Sequence, residues 1–232
     1  MSHNLISENT ASYTFPVNSI LLLGPTGVGK SPLGDVIAQK GLFGRRCHHL
    51  DFGSELRGAV SSDRSIAYAT EELDFIHGVL KLGLLLENEH FPLAEKIISL
   101  YLDRVGFSQS DVLVLNGIPR HRGQARDIAT IAEIHAIIVL DCSPNDVVRR
   151  IQDNVGGDRT ARIDDHKELI EKKLSIFRER TTPLVEHYAQ RGCALYRIIV
   201  RSDMKPLEAY DAVSLLAAAD PPVTLVTEPP QR

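Results

Sequence analysis

The stretch Ile20–Ser31, ILLLGPTGVGKS, limits what this chain can fold into more than any other. An isoleucine and three leucines form a short apolar run of strand type. Gly24, Gly27 and Gly29 interrupt it, and Lys30–Ser31 open the next element. The spacing satisfies G-x-x-x-x-G-K-[ST], with Gly24, Gly29, Lys30 and Ser31 at the fixed positions. Small residues allow successive backbone N–H groups to turn inward around a phosphate, and a helix starting near Lys30 aims its positive end at the same anion. Gly24, Pro25, Thr26, Gly27, Val28 and Gly29 are therefore expected to wrap a nucleotide's phosphates. Lys30 supplies a mobile charge for the terminal phosphates, and Ser31 can offer an oxygen to Mg2+. Binding of ATP or GTP is the first expectation.

At 232 residues the chain can build one substantial α/β core. A formal charge of -4 argues against nucleic acid as a main partner. The apolar runs Val79–Leu86 and Ile97–Leu102 are too short to span a membrane. Residues 1–18 are polar, lack a signal-peptide pattern and read as a flexible leader. Cys47, Cys142 and Cys193 are scattered, as expected of thiols in a reducing cytoplasm rather than of a disulfide or zinc site. His48 and His49 would point to opposite faces of a strand.

Strand-like and helical segments alternate along the chain. Cys47–Asp51 reads as a second strand, Asp111–Leu115 as a third, Ala136–Leu140 as a fourth and Leu195–Val200 as a fifth. Helices are predicted over Ser31–Lys40, Ser65–Leu82, Phe91–Leu102 and Gly123–Ile134. Another opens at Pro144, a long one runs from Asp164 or Asp165 to Gln190, and the last covers Pro206–Ala219. Ile66, Ala69, Leu73, Ile76 and Leu80 would share one face of the second helix. The alternation predicts an α/β, doubly wound parallel sheet of about five strands with helices on both faces. Ligands in such a sheet sit beyond the C-terminal strand ends, where Gly24, Asp51, Asn116 and Asp141 fall. Residues 19–219 form the domain, and 220–232 a flexible tail.

From the phosphate loop to the last helix the chain resembles the adenylate kinase family of nucleoside monophosphate kinases. The residues that carry the resemblance are GPTGVGK at Gly24–Lys30, GSELR at Gly53–Arg57, NGIPR at Asn116–Arg120 with Gln124 beyond, RIDD at Arg162–Asp165 and TTPLVEHY at Thr181–Tyr188. The short stretch between Arg150 and Arg162 is similar to the small-lid branch.

The resemblance implies a P-loop NTPase fold, with an acceptor-binding insert about 54–86 and a short lid about 152–163. It implies transfer of a phosphoryl group from ATP to a nucleoside monophosphate, AMP favoured, by a cytoplasmic monomer using Mg2+. Arginines suit the task because the planar guanidinium binds phosphate oxygens two at a time. Arg57 and Arg120 match acceptor-phosphate arginines. Phe52, Gly53 and Gly117 lie beside the acceptor, and Gln124 matches the glutamine that reads its adenine edge. Arg150 matches a core arginine at the transferring group, Arg162 a lid arginine, and Lys173 stands for a further arginine. Asp164 and Asp165 match the acids after the lid. Lys205–Pro206 resembles the turn near the donor base. Asn116 would reach Mg2+ through a water.

Several positions depart from the family's pattern. Asn116 replaces an aspartate that helps hold the metal's hydration shell. Ser31–Pro32 replaces Gly-Thr, Phe52 a threonine, and Asn154 a lid arginine. Asp51 and Asp141, at neighbouring strand ends, are the candidates to restore the missing charge. The departures leave open a UMP/CMP-type kinase, or a nucleotide-binding protein with reduced or lost catalysis.

Overall fold

The computed structural model describes residues 12–61, 63–158 and 167–226. Five parallel strands form one sheet: β1 (Val17–Leu23), β2 (Cys47–Asp51), β3 (Val112–Asn116), β4 (Ala132–Asp141) and β5 (Ala194–Ile199). Their spatial order is β2-β3-β1-β4-β5. The helices are α1 (Lys30–Lys40), α2 (Phe52–Ala59), α3 (Thr70–Leu82), α4 (Phe91–Val105), α5 (Arg122–Ile128), α6 (Pro144–Gln152), α7 (Lys167–Ile176), α8 (Pro183–Ala189), α9 (Pro206–Ala219) and α10 (Val223–Val226). The expected P-loop α/β architecture is therefore present.

Alternation along β1 divides the core in two. Leu21 and Leu23 face a cluster that includes Leu56 of α2, Ile97 and Leu102 of α4, Ile128 of α5 and Leu184 of α8. Ile20 and Leu22 face the other side, with Leu33 and Ile37 of α1 and Val213 of α9. β3 is buried along its whole length, since β1 and β2 flank it and helices cover both faces. That is why it reads as an uninterrupted apolar run. Each side chain such as Ile98 or Leu102, fully withdrawn from water, contributes about 1.5–3 kcal/mol. Register then sets the site. Leu22 and Asp51 both lie opposite Asn116, so the C-terminal ends of the three strands finish level.

Several boundaries differ from the sequence reading. β1 begins at Val17, and the described residues just before it are anchored. Ser12 Oγ donates to the Phe107 carbonyl at 2.5 Å, and Thr14 N to Gln109 Oε1 at 2.8 Å. α5 ends at Ile128, and β4 begins at Ala132, so Ile131–Ile134 does not belong to a helix. The segment Ser65–Leu82 is a short 3-10 turn at Ser65–Ala67 followed by α3. An extended Tyr68 breaks the spacing between them, which leaves Ile66 95% exposed instead of on the buried face. The long helix is divided. α7 gives way to a wider π-type turn at Phe177–Thr181, and α8 begins at Pro183, whose ring supplies no N–H to continue the earlier ladder. Beyond 219, α10 packs Leu225 into the core, and the Leu225 carbonyl accepts from Arg45 Nε at 2.7 Å. Of the lid stretch, residues 152–158 are described as the end of α6 and turns, whereas Arg162, Asp164 and Asp165 lie outside the described residues. Among the described residues no helix is long and apolar enough to cross a membrane.

Candidate functional site

The phosphate loop leaves β1 at Gly24 and enters α1 at Lys30. Gly27 takes a φ of 80°, and a Cβ there would come within 2.5 Å of Ile151 on α6. Loop and helix can approach this closely only because the side chain is absent. Val28 is buried and anchors the loop. Lys30 Nζ donates to the carbonyls of Gly24 at 2.7 Å and Pro25 at 2.8 Å, so its charge is held against the loop.

Arg150, buried on α6, supports this loop from behind. Its Nη1 donates to the carbonyls of Arg201 and Met204, each at 2.8 Å, and more distantly to Ser202 at 3.4 Å. Its Nη2 is 3.0 Å from where a Cβ on Gly29 would lie. Burial holds its pKa below the ordinary arginine value. One guanidinium thus joins the phosphate loop to the β5–α9 connection. Lys205 caps the start of α9 with an exposed side chain, and its N–H donates to Glu208 Oε2 at 2.6 Å. It does not line the cavity described next.

In front of the loop is a cavity of about 200 Å³. Gly24, Thr26, Gly27, Gly29, Lys30 and Ser31 line one wall, and Phe52, Gly53, Arg57, Gly117, Arg120, Gln124 and Lys173 line the others. Pro25 and Val28 do not reach it. Asp51 and Asn116 close its floor, whereas Asp141 lies elsewhere, paired with Arg197.

The floor is a connected set of polar groups. Ser31 Oγ donates to Asp51 Oδ2. Asn116 Nδ2 lies 3.2 Å from Ser31 Oγ, 3.3 Å from Asp51 Oδ2 and 3.3 Å from His49 Nε2. His49 Nδ1 lies 2.8 Å from Asp35 Oδ1, which assigns the imidazole proton to Nδ1 and leaves Nε2 to accept. Asn116 therefore faces the floor with its amide nitrogen. Asp51 Oδ1 accepts from Ser54 N at 2.9 Å and caps α2. Burial acts to raise the Asp51 pKa. The Ser31 and Ser54 hydrogen bonds, with the nearby Arg57, outweigh it and leave the carboxyl below its ordinary value. A hydroxyl oxygen and a carboxylate beside a phosphate loop form the hard, oxygen-donor set that suits Mg2+, so the residues present fit that ion.

On the acceptor side, the Arg120 guanidinium has no hydrogen-bond or ion-pair partner among the described residues. Burial, with a smaller contribution from Arg180, pushes its pKa down to about 10. Its backbone is fixed from both sides: Arg120 N donates to Gln124 Oε1 at 2.7 Å, and Thr181 Oγ1 donates to the Arg120 carbonyl at 2.8 Å. Gln124 Nε2 donates to the Leu86 carbonyl at 2.8 Å. Each end of that buried amide thus makes one hydrogen bond to the chain's own backbone, while the side chain still lines the cavity. Phe52 is buried among core side chains and brings only part of itself to the wall. Arg57 is exposed at the mouth.

Three contributors had no clear signal in the sequence. His49 and Thr181 act through contacts across the fold. Glu87 grips Arg180 with both oxygens, at 2.6 and 2.8 Å, beside Arg120. Only Thr181 fell within a quoted motif.

Comparison with known proteins fits this arrangement. The chain is 30% identical over 184 residues to an adenylate kinase of Rhizobium meliloti, spanning 75% of this chain and 87% of that one. An adenylate kinase of Brucella anthropi is 28% identical over 204 residues, spanning 83% and 94%. Among solved structures, a gluconokinase from Sinorhizobium meliloti superposes with a TM-score of 0.50 at 16% identity, spanning 89% of this chain and 94% of that one, a likeness of fold. No protein-family model matches the chain.

Proposed function

This chain belongs to the adenylate kinase family of P-loop nucleoside monophosphate kinases, and we propose that it transfers the γ-phosphoryl group of ATP to AMP, giving two ADP. The observation that carries the reading is Arg120. A cation driven down to about 10 by burial, without an acceptor among the described residues, faces the same cavity as the phosphate loop and Lys30. Such a group calls for an anion, and a monophosphate offers two or three oxygens to its planar fork. Names of the relatives support the same chemistry.

In this reading the loop's N–H groups and Lys30 bind the β- and γ-phosphates of ATP. Arg120 and Arg57 hold the acceptor phosphate, and Lys173 adds charge from the opposite wall. An acceptor oxygen attacks the γ-phosphorus in line as the bond to the β-γ bridging oxygen breaks, and ADP leaves from the donor side. The negative charge spreads over the equatorial oxygens, where Lys30 and the arginines stabilise it. Ser31, with Asp51 beside it, would hold Mg2+, which when bound would supply further neutralisation of the phosphate charge. The acceptor insert about 54–86, the lid about 152–163 and the lid residue Arg162 complete the proposal.

A second reading, a UMP/CMP-type kinase, gains from Gln124. With its amide engaged by Arg120 N and the Leu86 carbonyl, base selection falls to the walls of the cavity. A coupled assay with ATP and separate AMP, CMP, UMP and GMP acceptors decides between them. AMP should give the highest kcat/KM. A pyrimidine nucleotide in front would establish the second reading, and no transfer to any acceptor, in a protein that still binds ATP, would overturn both.

A further inference from the structure

The position where the family's pattern has an acid holds Asn116, so the charge beside the phosphates has to come from elsewhere. Two carboxylates were open to this role from sequence. Asp141 is away from the cavity, on Arg197. Asp51 is on its floor, accepts the Ser31 hydroxyl proton, and stands level with Asn116 in the β2–β3 register.

We propose that Asp51, from the neighbouring strand, is the carboxylate that holds the divalent cation's hydration shell beside Ser31, with Asn116 as its neutral complement. This rests on the kinase reading above. The hydrogen-bond directions support it. Ser31 gives its proton to Asp51, which leaves a Ser31 lone pair facing the cavity as a ligand oxygen. Asn116 has two N–H groups to share among Ser31 Oγ, Asp51 Oδ2 and His49 Nε2, all within 3.3 Å of its Nδ2. An aspartate at 116 would have no proton to offer, and would set a second carboxylate about 3.3 Å from the first. Like charges that close repel strongly. The amide at 116 is therefore what an acid at 51 requires, and the departure at 116 is one half of an exchange.

The two oxygens of Asp51 carry separate duties. Oδ1 caps α2 through Ser54 N, whereas Oδ2 faces Ser31. Asp51→Asn keeps an oxygen for the cap and removes the charge, so it separates the metal role from the structural one. Asp51→Ser, also a good helix cap, is the second uncharged variant.

The test is ATP affinity by calorimetry, with excess Mg2+ and with excess EDTA, for wild type, Asp51→Asn, Asp51→Ser, the exchange Asp51→Asn/Asn116→Asp, and Asp141→Asn. Circular dichroism confirms the fold of each. In wild type, Mg2+ should tighten ATP binding. Either uncharged variant should lose about tenfold of that gain, a factor in the range for one charged hydrogen-bonding group. In EDTA the same variants should bind ATP as tightly as wild type or tighter, because a negative charge facing the phosphates has gone. The exchange variant should recover the gain, and Asp141→Asn should match wild type.

Equal weakening with and without metal would make Asp51 merely structural and overturn the proposal, as would an unchanged Mg2+ gain in both uncharged variants. Wild-type protein that binds no ATP under either condition would instead bring down the kinase reading, and this proposal with it.

Discussion

Replacing Arg120 with methionine should make the unliganded protein more stable while depriving it of its acceptor. The methionine keeps most of the apolar stem and removes only the charge. A fall from the ordinary arginine value to about 10 corresponds to about 3 kcal/mol against the charged form, at about 1.4 kcal/mol per tenfold change. Water in the open cavity screens part of this, which leaves about 1–2 kcal/mol. Because burial lowers the folded-state value, the destabilisation is fully present below pH about 10 and fades as pH rises toward the ordinary arginine value. A melt at pH 7 therefore reads all of it. For a chain of this size the gain appears as roughly 2–8 °C in Tm. The backbone contacts of Arg120 with Gln124 and Thr181 do not involve the replaced side chain. The assay is differential scanning calorimetry of both proteins, with and without millimolar AMP. Wild type should gain several degrees from AMP by mass action, and the variant little or nothing. A variant that melts below wild type and keeps the full AMP-induced rise would refute the account of Arg120 as a charge awaiting an anion.

Three further substitutions test other parts of the site. Lys30→Ala removes the cation held by the Gly24 and Pro25 carbonyls, and coupled kinetics should show transfer falling by roughly 10²–10³-fold. Gln124→Leu strips the partner from Arg120 N and one of two from the Leu86 carbonyl, which keeps His121 Nε2 at 3.1 Å. Urea titration should show a loss of about 1–3 kcal/mol, with the AMP-to-UMP preference in kcat/KM unchanged; an altered preference would return Gln124 to the base. Gly34→Ala would bring a methyl within 2.3 Å of the His49 ring. It should lower stability by about 1–3 kcal/mol, and Gly34→Ala/His49→Ala should recover most of that loss in the same titration.

The parts of the fold with strong local chemistry could be read directly from the chain. The phosphate loop, the strand ends at Gly24, Asp51 and Asn116, and the apolar run of β3 all follow from short-range pattern. The first half of β4 did not, because the polar Glu133 and His135 alternate with Ala132 and Ile134, His135 being covered by the distant Asn18 and Thr224, and that alternation merges with the preceding helix spacing. Ile66 fitted a helical face on paper, but the chain turns at Tyr68 before that face forms. Within the site, short motifs pointed to Lys30, Arg120 and Gln124, and all three line the one cavity. The Gln124 contact with the Leu86 carbonyl had no local signal, because Leu86 approaches from a distant segment. Asp51 was visible only as one of two candidates. What singles it out is a hydrogen bond between residues twenty apart in sequence, made possible by the level ends of β1, β2 and β3.

The carbonyls gathered round Arg150 also bear on the timing of nucleotide entry. A β5–α9 connection already seated on a buried cation does not have to be collected by an arriving ATP. Its encounter is then limited by diffusion and orientation, with no loop-ordering step, and variants of this wall should differ in residence time more than in association rate. Loss of the Arg150 side chain would alter this regime. Stopped-flow traces that are single-exponential and linear in ATP concentration for the wild type should then become curved, as ordering of the loop begins to limit capture.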